Sequence, residues 1–326
     1  MKLNIHMGVH KTGTSAMQHV LLRNRKALSE QGVGYVSLGA FRKGYYHPMA
    51  SLAQMPSLLD TLQRSRLSDL FEAQIAPHEG LPRAIVTEEN LAGPLPHLLK
   101  GRLYTQLGRN MRLVHESAKA HDRHYFLCIR AYDAFFVSAY LQLLRKFEMP
   151  SIPAFVGKLQ DSGRGWADLA ADMIAIAGAE NVTVWTYEAF RADPQLPYRL
   201  LSGGAHVELV EPRTARDANP SLSAKGLQIL EAAQGFVSKE ERIRLGNTLR
   251  FFEFDPPVAK VQIEDKATVE ALSARYRADK ARIASLGCAF HDVEEPADQT
   301  MLPQGCVPRK RFFSVVWPFL TRRGLS

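Results

Sequence analysis

The chain has 326 residues, enough to bury a large core, and its 41 basic and 33 acidic residues give a net charge of +8. This balance favours an anionic ligand, but it does not separate a nucleotide from a nucleic acid or a membrane surface. Three cysteines without CxxC spacing indicate neither a disulfide framework nor a structural zinc site.

The chain opens with an apolar run, a Gly/Thr-rich turn and an amphipathic segment, which predict a strand, a loop and a helix. Gly8 and Gly13 have no Cβ, so successive amides of the loop can turn toward one anion. Thr14 and Ser15 would stand at the positive end of the helix. We therefore expect a phosphate-binding loop, and a turn without a ligand is the alternative.

The loop differs from the ATP/GTP P-loop pattern in the position of its lysine. Gly8, Gly13 and Ser15 fit Gly-x4-Gly-Lys-Ser/Thr, but Thr14 occupies the lysine position and the lysine is Lys11. In this the chain resembles the sulfotransferases that use 3′-phosphoadenosine 5′-phosphosulfate (PAPS), whose loop has a Lys-Thr-Gly-Thr-Ser/Thr core. The resemblance implies that the 5′-phosphosulfate is bound by Lys11, Thr12, Gly13, Thr14 and Ser15.

A second apolar strand is predicted at 33–38, and a βαβ start favours a parallel sheet. We therefore expect an α/β fold of three layers, with a mostly parallel, P-loop-like central sheet between helices. Residues 41–82 are predicted to be helical with proline breaks and to form a lid or substrate-facing insertion. Tyr45 and Tyr46 in this insertion would suit an acceptor pocket.

The strand predicted at 83–87 ends in two carboxylates, Glu88 and Glu89. Ligand chemistry gathers beyond the carboxyl ends of parallel strands, so either glutamate is a candidate general base. The resemblance favours Glu88 over Glu89, because related bacterial enzymes often have Ser/Thr-Glu here and the heparan sulfate enzymes use a glutamate base. The alternative is that both carboxylates only open the next helix. His47 is a rival base, since histidine titrates near neutrality.

A strand at 124–129, apolar on both faces, leads into Arg130, and Ser138 follows two helical turns later. A guanidinium and a hydroxyl so placed can reach one phosphate. The segment resembles the family's 3′-phosphate motif, Arg-x-x-Asp-x-x-x-Ser-x-Tyr, with every named position filled. The resemblance implies that Arg130 and Ser138 bind the 3′-phosphate. Tyr132 replaces the proline often found before the Asp.

Further helices are predicted at 165–177, after a capping Ser223, and at about 269–286, with a strand at 181–187. We expect one domain over 1–290 and a tail over 291–326. The tail is basic at both ends and aromatic between, over 309–323. We expect it to pack on its own domain or on a second copy in a homodimer, with a membrane surface as the alternative.

No run approaches the roughly 18 apolar residues of a membrane span, and the start is too short for a signal peptide, so a cytoplasmic protein is expected. The resemblance implies transfer of a sulfuryl group from PAPS to a hydroxyl or amine of a carbohydrate or small alcohol, releasing 3′-phosphoadenosine 5′-phosphate (PAP) without a metal. One alternative is a P-loop small-molecule or nucleotide kinase. Another is a basic peripheral-membrane or nucleic-acid-binding protein, although no nucleic-acid motif is present.

Overall fold

A computed structural model describes residues 1–54, 61–209, 221–252, 254 and 260–293. Met1–Val293 form one compact unit, and the second unit, Glu294–Ser326, lies outside the described residues. The predicted tail at 309–323 and its contacts therefore lie outside them as well.

A six-stranded sheet forms the centre of the unit, and all its strand pairs are parallel. The strands are β1 (Lys2–His6), β2 (Val33–Val36), β3 (Arg83–Thr87), β4 (Asp122–Ile129), β5 (Val182–Thr186) and β6 (Ala289–His291). Their spatial order is β2-β3-β1-β4-β5-β6. The predicted parallel α/β fold is confirmed.

The helices follow the strands along the chain. In order they are α1 (Thr14–Arg23), α2 (Arg25–Glu30), α3 (Leu38–Phe41), α4 (His47–Ala53), α5 (Thr61–Ile75), α6 (Leu107–Ser117), α7 (Tyr132–Leu144), α8 (Ile152–Gln160), α9 (Trp166–Ala177), α10 (Tyr187–Ala192), α11 (Leu196–Ser202), α12 (Ala224–Ala232), α13 (Lys239–Phe251) and α14 (Lys266–Ser285). A π-helical turn, Arg42–Tyr46, joins α3 to α4.

Strand side chains alternate between two cores, one on each face of the sheet. In β4, Tyr125 and Leu127 enter the larger core, whereas Phe126 and Cys128 enter the smaller one. The smaller core is closed by apolar residues of α1 and α11, and the larger one by those of α6, α7 and α9. Two buried faces explain why β4 is apolar throughout its second half and why the fold has three layers.

Two elements differ from the prediction, and one predicted cap is found. The helix predicted after the loop is divided at Asn24, whose amide donates to the Val20 and Glu208 carbonyls. β6 was not predicted, because a strand of three residues has no visible period. Ser223 caps α12 as predicted, accepting a hydrogen bond from the Gly226 amide at 3.2 Å.

The segment predicted as a lid contributes to the larger core. Tyr45 is fully buried, donates to Ser117 Oγ at 3.0 Å and packs edge-on against Phe71. Its assignment to an acceptor pocket is therefore wrong. Residues 55–60 of the segment lie outside the described residues. No helix in the described part of the chain is long and apolar enough to cross a membrane.

Candidate functional site

Three neighbouring strands deliver their following segments to the same edge of the sheet. His6, the last residue of β1, is paired with Thr87 at the end of β3 and with Phe126 near the end of β4. The chain reaches β4 only after β2 and β3, so β1 lies where the strand order reverses. Ligands bind at such switch points, beyond the carboxyl ends of the strands.

The loop between β1 and α1 has an unusual backbone. Gly8, Lys11 and Gly13 all have positive φ, at 72°, 67° and 83°. A Cβ on Gly8 would lie 2.3 Å from Glu89 Cα, so only glycine lets the loop approach the end of β3 this closely. Lys11 holds a conformation that non-glycine residues rarely adopt, at a cost on the order of 1–3 kcal/mol, and such strain clusters at functional sites.

The loop's hydroxyl groups differ in what they contact. Thr12 is buried and donates to the Val9 carbonyl at 2.6 Å, with its Oγ1 3.4 Å from that of Thr14. The Thr12 hydroxyl therefore stabilises the loop from within. Ser15 is exposed at the first turn of α1 and lines a cavity.

Arg130 joins the second predicted motif to the first. Its Nη1 donates to the Lys11 carbonyl at 2.7 Å, and its guanidinium lies 4.6 Å from the centre of the Tyr187 ring. Arg130 and Lys11 are 119 residues apart in the chain. The two motifs meet at the carboxyl edge of the sheet.

A cavity of about 270 Å³ brings the remaining predicted groups together. Lys11, Ser15 and Ser138 all line it, along with Arg145 and Arg250. The rest of its lining is Leu141, Gln142, Lys146, Ser221 and Leu222.

The sequence analysis missed the two arginines of this cavity. Arg145 caps the C-terminus of α7, seven residues after Ser138, so helical spacing would have placed both on one face. Arg250 is on α13, and no local spacing relates it to the loop.

The cavity is strongly cationic. Burial, and after it the positive charges of Arg250, Arg130 and Arg145, together lower the pKa of Lys11 to about 8. Four cations and no carboxylate are among the lining residues that the structure describes. Such a site suits a ligand with several negative charges, because an anion would relieve the repulsion among the cations.

Glu88 is fully buried and its carboxylate is heavily bonded. Arg42 donates to it through Nε at 2.6 Å and Nη2 at 2.8 Å. The amide nitrogen and the side chain of Asn90 donate to Oε1 at 3.0 and 2.7 Å. Glu88 thus caps the short helical turn Glu89–Leu91, which agrees with the alternative that this carboxylate opens the element after β3.

Glu89 and His10 lie beside this pair. Glu89 accepts from Arg42 at 2.9 Å and from Gln18 at 3.2 Å, and 15% of its side chain is exposed. His10 contacts the hydroxyl of Tyr104 and the side-chain oxygen of Asn90, and burial lowers its pKa. The carboxylates are therefore part of a network that supports the loop.

His47, the third candidate base, is exposed at the start of α4, with its ring 5.5 Å from that of Tyr46. A second cavity, of about 570 Å³, is lined by residues of α3, α4 and α5 and the turn between α3 and α4, including Lys43 and Arg66. None of the predicted site residues lines it.

The fold and the site together define a parallel α/β protein with a cationic cavity at the carboxyl edge of its sheet. No protein-family model matches the chain, and no curated protein matches it. Among solved structures, a sulfotransferase from Alicyclobacillus acidocaldarius is 14% identical, with a TM-score of 0.37 over 74% of this chain and 93% of its own.

A second solved structure, the sulfotransferase domain from the curacin biosynthetic pathway, is 12% identical, with a TM-score of 0.33 over 84% of this chain and 96% of its own. Both are sulfotransferases, the family that the Lys11 and Arg130 motifs resemble. At TM-scores below 0.5 the function has to be inferred from the site itself.

Proposed function

We propose that this protein is a sulfotransferase that moves a sulfuryl group from PAPS to a hydroxyl or amine of a carbohydrate or small alcohol. The observation that carries the proposal is the single cavity lined by Lys11, Ser15 and Ser138. Arg130 is bonded to the backbone of the same loop. Two motifs that lie far apart in the chain therefore meet, as binding of both ends of one nucleotide requires.

In the proposed complex, the loop amides, Lys11 and Ser15 hold the 5′-phosphosulfate. Arg130 and Ser138 hold the 3′-phosphate, and Arg145 and Arg250 add positive charge to the cavity. Guanidinium groups suit this task, because their donors match phosphate oxygens in pairs.

In the proposed reaction, an acceptor oxygen or nitrogen attacks the sulfur while the bond from sulfur to the leaving phosphate oxygen breaks. Negative charge grows on that oxygen as PAP leaves, and the Lys11 ammonium is positioned to stabilise it. A sulfuryl group carries less negative charge than a phosphoryl group. The transfer therefore has less need of a metal ion than a kinase reaction.

The acceptor must also lose a proton. Glu88 was the first candidate base, but its two oxygens accept four hydrogen bonds from Arg42 and Asn90. To take a proton it would have to give up its contacts with a cation, at a large cost for a buried carboxylate. These contacts disfavour Glu88 as the base and give it the role of holding Arg42. Glu89, which accepts from the same guanidinium, and the exposed His47 are the remaining candidates.

A thermal-shift experiment with PAP, AMP and Mg-ATP tests the proposal, together with sulfuryl transfer from labelled PAPS to a panel of sugars and alcohols. We expect PAP to raise the melting temperature most, because only PAP places phosphates at both ends of the site. Stabilisation by Mg-ATP alone would favour a kinase and contradict the proposal.

A further inference from the structure

The turn that carries Arg130 is held at its backbone as well as at its guanidinium. Trp166 Nε1 donates to the Arg130 carbonyl at 2.9 Å, and the next amide, that of Ala131, donates to Glu188 at 3.3 Å. The guanidinium donates to the Lys11 carbonyl. The position of this side chain therefore depends on Trp166 and Glu188.

Trp166 and Glu188 are in turn held by α14. Each bonds a residue of this helix, and Trp166 also bonds Tyr132, which is itself bonded to the helix. The Trp166 ring stacks on Tyr132, with ring centres 5.0 Å apart and planes inclined by 4°. The Trp166 amide donates to Tyr132 Oη at 2.9 Å and to Asp279 Oδ2 at 2.8 Å, and the Tyr132 hydroxyl donates to Asp279.

A parallel contact runs from α14 to Glu188. The hydroxyl of Tyr276 donates to Glu188 Oε2 at 2.8 Å, while Oε1 of the same carboxylate accepts from the Ala131 amide. Arg275, one residue earlier on α14, places its guanidinium 4.9 Å from the centre of the Tyr132 ring. One helix thus contacts the Arg130 turn by two independent routes.

The backbone of Gly165 leaves room for this arrangement. A Cβ at Gly165 would lie 2.5 Å from Asp279 Oδ2 and 2.8 Å from Tyr132 Oη. Its φ of −126° is one that alanine adopts without strain. An alanine here would therefore act mainly by pushing the two oxygens away.

We propose that the Tyr132–Asp279–Trp166 clamp, meaning these three residues and the bonds among them, positions Arg130 for the 3′-phosphate of the donor nucleotide. This inference rests on the proposed function. The three are positioning residues, since they act through Arg130. The clamp supplies rigidity at the position where Tyr132 replaces a proline of similar sequences.

The test compares the full-length wild type with Tyr132→Phe, Asp279→Ala and Gly165→Ala by calorimetric titration with PAP and with AMP, which lacks the 3′-phosphate. We expect the affinity for PAP to fall about ten-fold in each variant, as for a weakened hydrogen bond to a charged group, while the affinity for AMP stays within about two-fold. An equal loss of affinity for PAP and for AMP would show a general loosening of the site and would overturn the proposal.

The control is Tyr125→Phe, which also removes one hydroxyl of a buried tyrosine, here on β4 and bonded to His115 rather than to the clamp. It should leave the ratio of the two affinities unchanged. In an Arg130→Ala background, Tyr132→Phe should cost no further PAP affinity, because the clamp acts through Arg130. A full additional loss there would show that the clamp acts elsewhere.

The two proposals fail differently. If the wild type binds PAP no better than AMP and transfers no sulfuryl group, the proposed function falls and the clamp's role with it. If the wild type prefers PAP and all three variants keep that preference, the clamp alone is refuted. Tyr132→Phe removes part of a buried network, so Asp279→Ala and Gly165→Ala decide the matter should that variant not fold.

Discussion

Lys11 combines a strained backbone with a partly desolvated amine among cations. Its φ is 67°, and its carbonyl accepts the hydrogen bond from Arg130 that helps to keep this conformation. Burial and the charges of Arg250, Arg130 and Arg145 lower its pKa to about 8. The ammonium is thus costly to keep in the free protein and gains most when an anion arrives.

We predict that the affinity for PAP falls as the pH rises through about 8, because Lys11 then loses the charge that attracts the anion. Between about pH 8 and 10.5 the folded protein has lost this proton while the unfolded chain keeps it. Without ligand, the free energy of unfolding therefore rises with pH over this interval, opposite in sign to the trend in PAP affinity. Titrations of PAP between about pH 6.5 and 9.5, with urea unfolding beside them, measure the two trends.

In Lys11→Gln both trends should disappear, and turnover should fall by about 10²- to 10³-fold, as when a preorganised charge stabiliser is removed. Lys146→Gln is the matched control, since Lys146 lines the same cavity but is exposed. It should keep the fall in affinity near pH 8. A fall that survives in Lys11→Gln would assign the titration to another group.

At the scale of the element, the sequence predicted those helix and strand boundaries that depend only on neighbouring residues. β3 occupies the predicted residues, because polar residues on both sides of its apolar run mark where the strand begins and ends. The π-helical turn Arg42–Tyr46 was not predicted. Arg42 in this turn pairs with Glu88 and Glu89, a contact that no local spacing in the sequence indicates. The break at Asn24 coincides with another long-range contact, to the Glu208 carbonyl.

The loop element makes a prediction that separates close packing from backbone strain. Gly8→Ala meets both a φ of 72° and a Cβ position 2.3 Å from the Glu89 backbone, whereas Gly80→Ala meets a φ of 85° in open space. Alanine at either site costs about 1–2 kcal/mol for the left-handed conformation. Gly8→Ala should cost about 1–3 kcal/mol more for the overlap.

Urea unfolding of the two variants beside the wild type gives both free energies. Gly80→Ala serves as the control, because it contains the strain without the contact. Equal losses in the two variants would mean that the loop moves away from β3 at no cost.

At the scale of the whole molecule, the sequence indicated which residues meet at the carboxyl edge where a loop pattern or a family motif marked them, as for Lys11, Arg130 and Ser138. Arg250 and Asp279 were not indicated, because their places follow from the packing of α13 and α14 and no spacing in the sequence relates them to the loop. Long-range packing decides such positions.

The stability of the molecule should depend on pH through His6. This side chain is buried at the end of β1, stacked 5.2 Å from the Trp185 ring, and burial lowers its pKa to about 4. Between about pH 6.5 and 4 this histidine is protonated in the unfolded chain but neutral in the folded protein. The free energy of unfolding therefore falls as the pH drops through this interval. Full protonation of this one group in the unfolded chain lowers the free energy of unfolding by about 3 kcal/mol.

Urea unfolding at pH 7 and pH 5 measures the dependence. His6→Gln should reduce the slope without abolishing it, because burial also lowers the pKa of His124 to about 4 and that group acts in the same direction. His47→Gln, at an exposed histidine, is the control and should keep the wild-type slope. An unchanged slope in His6→Gln would contradict the role of His6.

The link between Tyr132 and Asp279 spans 147 residues and has a consequence for biosynthesis. A ribosome releases the opening loop and the Arg130 turn well before α14, and domains complete their folding only as the later segments emerge. A nascent chain that ends before α14 contains both motifs proposed to bind phosphate but lacks the helix that contacts the Arg130 turn. We therefore expect nucleotide capture to be among the last abilities that the growing polypeptide acquires.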